Sequence, residues 1–167
     1  QEEKQKLQFC ITGTLSPEYE TIKCIQSFLD FNKLVPSSRL IVAGFAPIAS
    51  YQNAIQEIYE GMSQIELVGI NEFVDHHKIL KIISDSNIGY CYNTNNKSFE
   101  GKIPTKVYEF MALKTITLHD PSRVYNELLN DNRAGIPFDI HQEDAQTLAL
   151  RLQQAQALRI DLKAVTW

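Results

Sequence analysis

The chain has 167 residues, of which 44% are hydrophobic and 22% are charged, and its formal net charge is −4. This length allows one domain with a full hydrophobic core, and the composition is typical of a globular protein in water. The negative charge disfavours nucleic acid or an anionic membrane surface as the main partner, and no apolar run approaches the ~18 residues of a membrane span.

The three cysteines, Cys10, Cys24 and Cys91, form no C-x-x-C pair. This odd, scattered number predicts buried free thiols in a reducing cytoplasm, and it disfavours a zinc site or a redox motif. The acidic residues do not show the spacing of a metal-binding loop either. We therefore expect neither a metal ion nor a cofactor.

Apolar runs alternate with helical patterns along the chain. In chain order we predict a strand over residues 7–13, a helix beginning at Ser16, a strand over 40–45, a helix over 50–61, a strand over 65–70, a helix capped by Asp75, a strand over 88–92, a short helix after Pro104, a strand over 116–118, a helix capped by Ser122, a short strand over 134–138 and a long helix over 142–158. The apolar residues expected to face the core from the second and last helices are Ile55, Ile58, Tyr59, Leu148, Leu150 and Leu152. This alternation predicts an α/β domain with a three-layer, Rossmann-like fold, in which helices cover both faces of a parallel sheet of about six strands.

The predicted fold also indicates where a ligand binds. In a sheet of strand order 3-2-1-4-5-6, the order switches between the first and fourth strands, and ligands bind at the carboxyl ends of the strands beside that point. The loops that follow these two strands are residues 13–15 and residues 93–106. We therefore predict a binding site between them.

The second of these loops leads into the segment PTKVYEFMA, residues 104–112. The start of a helix presents free backbone N–H groups and a positive dipole end, which suit a phosphate. Lys106 adds a positive charge, and one turn later the Glu109 carboxylate is suited to accept hydrogen bonds from the vicinal hydroxyls of a ribose. Together these features predict a nucleotide site, although the same residues also suit an ordinary helix start.

The histidines predict neither a catalytic nor a metal site. His76 and His77 are adjacent, so on a helix they point in different directions, and we expect them to cap or coat the third helix. We expect His119, with Asp120, in a solvent-facing turn and His141 beside the cap of the last helix. No Ser/His/Asp or Cys/His arrangement has a spacing that indicates nucleophilic catalysis.

The PTKVYEFMA segment resembles a motif in the C-terminal, nucleotide-sugar-binding domain of GT-B glycosyltransferases, the group that includes the family 4 enzymes. Those domains carry a polar loop, then P-[ST]-K-hydrophobic-aromatic-E-[YF]-[ML]-A at the start of a short helix, then a strand. Residues 9–17, 40–44 and 68–70 are similar to the family's first strand with its Gly loop, its second strand and the exit of its third strand. The resemblance covers the chain from about Leu7 to Leu152.

The resemblance implies the donor half of an enzyme that transfers a sugar, with retention of configuration, from a nucleoside diphosphate sugar to an acceptor hydroxyl. It implies that Glu109 binds the ribose hydroxyls. The diphosphate would be held without a metal ion by Thr105, Lys106 and the amides of Gly13 and Thr14. Pro104 opens the helix that presents these groups.

The same resemblance implies which residues lie near the base and which lie near the sugar of the donor. The backbone around Ile70 and Asn71 would border the base, with Phe73 nearby. Glu100 or Gly101 would lie near the sugar. The family's two paired glutamates have seven residues between them, whereas Glu100 and Glu109 here have eight.

The chain departs from the family pattern in the turn after its first strand. Where the family often has Arg or Lys, this turn carries Glu18 and Glu20 and no basic residue, and Lys23 follows only later. The acidic turn favours a second interpretation, a non-catalytic α/β domain that binds a nucleotide or a partner protein. A phospho-receiver domain is disfavoured, because Thr12-Gly13-Thr14 does not supply its acidic cluster.

The sequence starts with Gln1 in place of Met, which suggests a piece of a longer protein. The resemblance implies that an N-terminal domain of the same chain binds the acceptor, a saccharide or a lipid-linked saccharide. We expect residues 1–167 to form a single donor-binding domain that is inactive in isolation. By analogy with bacterial polysaccharide synthesis, we expect it in the cytoplasm, where the missing domain reaches the inner face of the membrane.

Overall fold

The computed structural model describes residues 6–94, 99–130 and 133–159. Its elements in chain order are β1 (Gln8–Thr14), a 3₁₀ turn (Pro17–Tyr19), α1 (Thr21–Leu34), β2 (Arg39–Phe45), α2 (Ala49–Tyr59), β3 (Ile65–Ile70), α3 (His76–Asp85), β4 (Ile88–Cys91), α4 (Thr105–Ala112), β5 (Ile116–His119), α5 (Arg123–Asn130), β6 (Gly135–Pro137) and α6 (Ala145–Arg159). The six strands form one sheet in the order β3-β2-β1-β4-β5-β6, and all neighbouring pairs are parallel. Both the α/β class and the strand order confirm the prediction from sequence.

Helices cover both faces of the sheet. Alternate residues of β1 point to opposite faces, so Phe9 lies in a core shared with α1, α2 and α6, whereas Cys10 lies in a core shared with α3, α4 and α5. Because both faces are covered, every residue of β4 and of β5 is buried. This three-layer arrangement leaves the carboxyl ends of the central strands and their loops for a ligand.

Gly89 in β4 sets the position of α4. A Cβ added to Gly89 would lie 2.4 Å from the ring of Phe110, which is fully buried on α4. The absence of a side chain at this position therefore allows α4 to pack directly against β4. This contact fixes where the start of α4 lies relative to β1.

Two residues predicted to face the core do not. Ile58 is 50% exposed and Leu150 is 55% exposed. Each residue turns ~100° around a helix axis, so Ile58 lies well away from the buried Tyr59 beside it. Leu150 lies two positions from both Leu148 and Leu152, which share the buried face at i and i+4.

The first helix also begins differently from the prediction. Pro17–Tyr19 forms a single 3₁₀ turn, and Glu20 then takes a left-handed conformation with φ of 52°. The α1 helix starts only at Thr21. The chain therefore makes an extra bend between β1 and α1, and this bend places Tyr19 and Glu20.

The three cysteines are free and buried, as predicted. Burial raises the pKa of the Cys10 thiol to about 12, so this group remains protonated near neutral pH. Within the described ranges, none of the helices is long and apolar enough to cross a membrane.

Candidate functional site

The loop after β1 and the start of α4 meet at the carboxyl ends of the central strands. The Lys106 Nζ donates a hydrogen bond of 2.8 Å to the Thr12 carbonyl, across 94 positions of sequence. A Cβ added to Gly13 would lie 3.7 Å from the same Nζ, and both Gly13 and Thr14 are exposed. The structure thus brings Gly13, Thr14 and Lys106 to one place, where the sequence predicted the diphosphate.

Among the described residues, the start of α4 has no side-chain cap from its N-cap residue. Pro104 occupies the N-cap position with φ of −61° and makes no side-chain cap hydrogen bond, and Thr105 begins the helix as an exposed residue. The Val107 amide donates to the Pro104 carbonyl at 3.0 Å, and proline has no side-chain acceptor for the remaining first-turn N–H groups. Residues 95–98 of the preceding loop lie outside the described residues.

Tyr19 is a neighbour of Lys106 that the sequence did not predict. The Lys106 Nζ lies 5.2 Å from the centroid of the Tyr19 ring, within the range of a cation–π interaction. The Tyr19 ring also contacts the ring of Phe99 edge to face, at 5.6 Å between centroids. The half-buried Lys106 side chain is therefore held between an aromatic ring and a backbone carbonyl.

One acidic residue of the turn after β1 has a partner in the folded chain. The Glu20 side chain is 15% exposed, and its Oε1 lies 2.5 Å from Nε2 of His141. His141 precedes α6, so this pair links residues 121 positions apart. Glu18 is exposed, and Lys23 lines a groove between α1 and the start of α6. One of the two carboxylates is therefore paired with a histidine.

Glu109 has a partner that sequence reasoning missed. The His76 Nε2 lies 3.3 Å from the Glu109 Oε1, and the side chains are 65% and 22% exposed, respectively. The adjacent His77 instead lies beside Asp75, with Nδ1 3.5 Å from Oδ1. The histidine pair does coat the start of α3, as predicted, but only His76 reaches α4. No sequence spacing indicates this contact, because the two residues belong to different helices.

The end of β3 presents polar and aromatic groups at the predicted base position. Gly69 and Ile70 both have positive φ, of 83° and 69°, so the chain turns sharply there. Ile70 is buried, its carbonyl accepts from the Ala46 amide at 2.8 Å, and the Asn71 amide donates to the Gly69 carbonyl at 2.9 Å. The Ile70 carbonyl and the Asn71 amide are thus already hydrogen-bonded. The Asn71 side chain remains exposed.

Phe73 adds a large apolar surface beside this turn. Its side chain is 84% exposed, and its ring lies on that of Phe45 at the end of β2, with 4.4 Å between centroids. An aromatic ring this exposed is available for contact with a planar group.

The two residues predicted near the sugar, Glu100 and Gly101, lie in an exposed turn before α4. Gly101 has φ of 70°, a left-handed conformation that glycine adopts readily. Among the described residues, no hydrogen bond or ion pair joins Glu100 to Glu109 or Lys106.

The prediction for His119 was wrong. Its side chain is fully buried at the end of β5, where its ring stacks on Tyr125 with 5.4 Å between centroids. Its Nδ1 lies 2.9 Å from the Asp120 carbonyl, and its Nε2 finds no hydrogen-bond partner in the described part of the chain. Burial lowers the pKa of His119. The fifth strand extends one residue further than predicted and is covered by α5, which is why this histidine does not face solvent.

A small polar cluster surrounds the Tyr125 hydroxyl near the end of β4. The Cys91 Sγ lies 3.7 Å from this hydroxyl, and the Asn93 amide nitrogen lies 3.5 Å from it. The described residues contain no group of three or more His, Cys, Asp or Glu side chains that could hold a metal ion.

No protein-family model matches the sequence, and no curated protein matches it either. Solved structures do match its fold. The C-terminal domain of a glycosyl transferase group 1 family protein (LpcC) from Francisella tularensis has a TM-score of 0.65 and 17% identity, over 91% of this chain and 76% of that one. An α,α-trehalose 6-phosphate synthase from Burkholderia multivorans has a TM-score of 0.66 and 11% identity, over 91% of this chain and 35% of that one. A protein described as a UDP-N-acetylglucosamine 2-epimerase from Listeria monocytogenes has a TM-score of 0.61 and 10% identity, over 90% of this chain and 37% of that one.

The chain thus has the fold of the C-terminal half of a GT-B glycosyltransferase, which is the architecture that its PTKVYEFMA motif indicated. In its fold, therefore, it is a glycosyltransferase-like domain. The chain spans only 35% of the length of the synthase and 37% of the epimerase. Identities this low describe architecture alone, and one architecture serves different reactions.

Proposed function

We propose that this chain is the donor-binding domain of a glycosyltransferase, which moves a sugar from a nucleoside diphosphate sugar to an acceptor hydroxyl. The observation that carries the proposal is the position of Lys106. Its Nζ lies at the Thr12 carbonyl beside the exposed Gly13, and Lys106 itself belongs to the first turn of α4, which has no side-chain cap from Pro104. A cation, backbone amides and a helix N-terminus at one point are groups that suit a diphosphate.

In the proposed reaction, these groups act on the leaving diphosphate. Negative charge grows on the diphosphate as its bond to the sugar breaks. Lys106, the amides of Gly13 and Thr14 and the first turn of α4 stabilise that charge, because they are already oriented towards it. This arrangement replaces a divalent metal ion. Retention of configuration is proposed on the family 4-like motif.

The remaining proposed contacts are with the ribose, the base and the sugar of the donor. The Glu109 carboxylate accepts hydrogen bonds from the ribose hydroxyls, and its low exposure of 22% strengthens them. The base lies towards the end of β3, where Asn71 and Phe73 are exposed, and the sugar lies towards Glu100 and Gly101.

The acceptor, a saccharide or a lipid-linked saccharide, is proposed to bind an N-terminal domain of the same chain. This domain would also close the cleft, so we expect residues 1–167 alone to bind donor without transferring sugar. The proposal places the protein in the cytoplasm, at the inner face of the membrane through the N-terminal domain.

Ligand binding tests the proposal directly. We would measure the melting temperature, Tm, of the chain with millimolar UDP, GDP, ADP and CDP and with their common sugar conjugates. A ligand at ten times its Kd stabilises a protein by roughly 1.4 kcal/mol, which raises Tm by a few degrees. We expect such a shift with one nucleotide and its loss in Lys106→Ala and in Glu109→Ala.

Two matched variants control for surface charge. Lys33 and Glu127 each form an ion pair on their own helix, α1 and α5, at exposed positions. Lys33→Ala and Glu127→Ala should keep the ligand-induced shift. An unchanged shift when Lys106 and Glu109 are both replaced would contradict the proposed site. It would favour a non-catalytic domain with a different binding surface, the interpretation suggested by the acidic turn at Glu18.

A further inference from the structure

The contact between His76 and Glu109 joins two helices that cover the same face of the sheet. His76 is the first residue of α3, and Glu109 lies one turn into α4. Their Nε2 and Oε1 atoms lie 3.3 Å apart, so the imidazole contacts one oxygen of the carboxylate at ion-pair distance. This is the same carboxylate that the proposed function assigns to the ribose.

The position of His76 is set by the backbone of α3 and not by burial of its own side chain. The Asp75 carboxylate caps the helix by accepting from the His77 amide at 2.9 Å, and Ile79 and Ile83 anchor it in the core. The His76 side chain itself is 65% exposed. The contact of His76 with Glu109 therefore contributes little to the packing of α3.

A carboxylate has room for this histidine and for a ribose together. Each carboxylate oxygen accepts about two hydrogen bonds, so an N–H on Oε1 leaves acceptor sites on both oxygens. A glutamate side chain that is free to rotate loses rotamer entropy when a ligand orders it. A neighbour that orders the side chain beforehand reduces that loss.

We propose that His76 is a positioning residue for Glu109: its imidazole Nε2 contacts Oε1 and holds the carboxylate ready for the ribose hydroxyls of a nucleoside diphosphate. This inference rests on the proposed function, because it assumes that Glu109 binds the ribose. It adds a residue from α3 to the site. The neighbouring His77 has no such role, because it pairs with Asp75.

The test measures the Kd of UDP, GDP, ADP and CDP by calorimetry, each beside its 2′,3′-dideoxy analogue. We expect His76→Ala to weaken the bound ribonucleotide about threefold to tenfold, the cost of ordering one free side chain. His76→Gln keeps an N–H donor and should retain most of the affinity. His77→Ala should match the unmodified chain. The dideoxy analogue, which has no hydroxyls for Glu109, should bind His76→Ala and the unmodified chain equally.

A double variant separates positioning from a structural effect. In a Glu109→Ala background, His76→Ala should cause no further loss of affinity, because no carboxylate remains to be positioned. Equal losses in both backgrounds would overturn the inference, as would unchanged or tighter binding in His76→Ala alone. If Glu109→Ala itself leaves the Kd unchanged, the proposed function fails first and the inference fails with it. The two failures are therefore distinguishable.

Discussion

Lys106 does not point freely into solvent, because two neighbours direct its side chain. The Thr12 carbonyl accepts a hydrogen bond from the ammonium group, and the Tyr19 ring lies 5.2 Å away. An extended lysine loses little rotamer entropy on binding an anion when it is already ordered. Tyr19 is thus part of the candidate site, although it lies in the acidic turn that departs from the family pattern.

This arrangement predicts that Tyr19→Leu weakens the binding of a nucleoside diphosphate about twofold to fivefold, since a partly exposed cation–π contact contributes ~0.5–1 kcal/mol. Tyr19→Phe keeps the ring and should bind nearly as tightly as the unmodified chain. Calorimetric titration measures both. The corresponding nucleoside without phosphate serves as the control, and its affinity should be the same in all three proteins. A leucine variant with full affinity for the diphosphate would show that the ring does not order Lys106.

At the scale of elements, α4 packs closely against β4. Its Phe110 ring fills the space that a side chain at Gly89 would occupy, at 2.4 Å from an added Cβ. The start of α4 carries Lys106, and its second turn carries Glu109. A shift of this one helix would therefore move both groups relative to β1.

We accordingly expect Gly89→Ala to lower the free energy of unfolding by about 1–3 kcal/mol, the usual cost of overpacking a core. The same variant should weaken nucleotide binding, because α4 must move away from β4. Chemical denaturation gives the first quantity and a ligand-dependent Tm shift gives the second. Adding Phe110→Leu to Gly89→Ala removes part of the ring and should restore some stability. If the double variant is less stable by the sum of the two single losses, the clash is not the cause.

The free energy of unfolding of the whole molecule should decrease in mild acid because of His119. This side chain is fully buried, and burial lowers its pKa, whereas the histidine of an unfolded chain titrates near ~6.5. Below that pH the unfolded chain takes up a proton that the folded chain does not. The stabilising effect is therefore complete above the unfolded pKa and is lost as the pH falls towards the folded pKa. Burial raises the pKa of Asp120, which acts in the opposite direction and at lower pH.

Denaturant unfolding from pH 7.5 to pH 5 measures this effect. We expect the free energy of unfolding of the unmodified chain to decrease as the pH falls below the unfolded value. The slope should be reduced in His119→Leu, which has no group to protonate. An equal slope in His119→Leu would assign the acid sensitivity to another group.

The fold of the whole molecule does not by itself determine a reaction. The same architecture occurs in a synthase and in a protein described as an epimerase, at 11% and 10% identity. Parallel sheets place ligands at the carboxyl ends of their strands whatever the chemistry. The proposal of sugar transfer therefore depends on Lys106 and Glu109 and their neighbours, and not on the sheet.

Local patterns were enough to predict most of the architecture. Apolar runs, caps and glycines act within a few residues, so they placed the six strands, the helix capped by Asp75 and the helix of the PTKVYEFMA segment. The rules for parallel sheets then gave the strand order and brought Gly13 close to Lys106. Errors arose where the angle around a helix axis mattered, at Ile58 and Leu150, and where a strand ran on under a covering helix, at His119.

The partners of the charged side chains could not be predicted in this way. Glu20 meets His141 across 121 positions, and Glu109 meets His76 from a neighbouring helix. Such pairs form only when strand order, register and helix packing have placed both backbones, and no short window of sequence contains that information. The amino-acid pattern thus specified which elements form and which loops meet at the switch in strand order, because those depend on local propensity and on burial. The folded chain was needed to establish which charges at that site are already paired, because this depends on distances between segments remote in sequence.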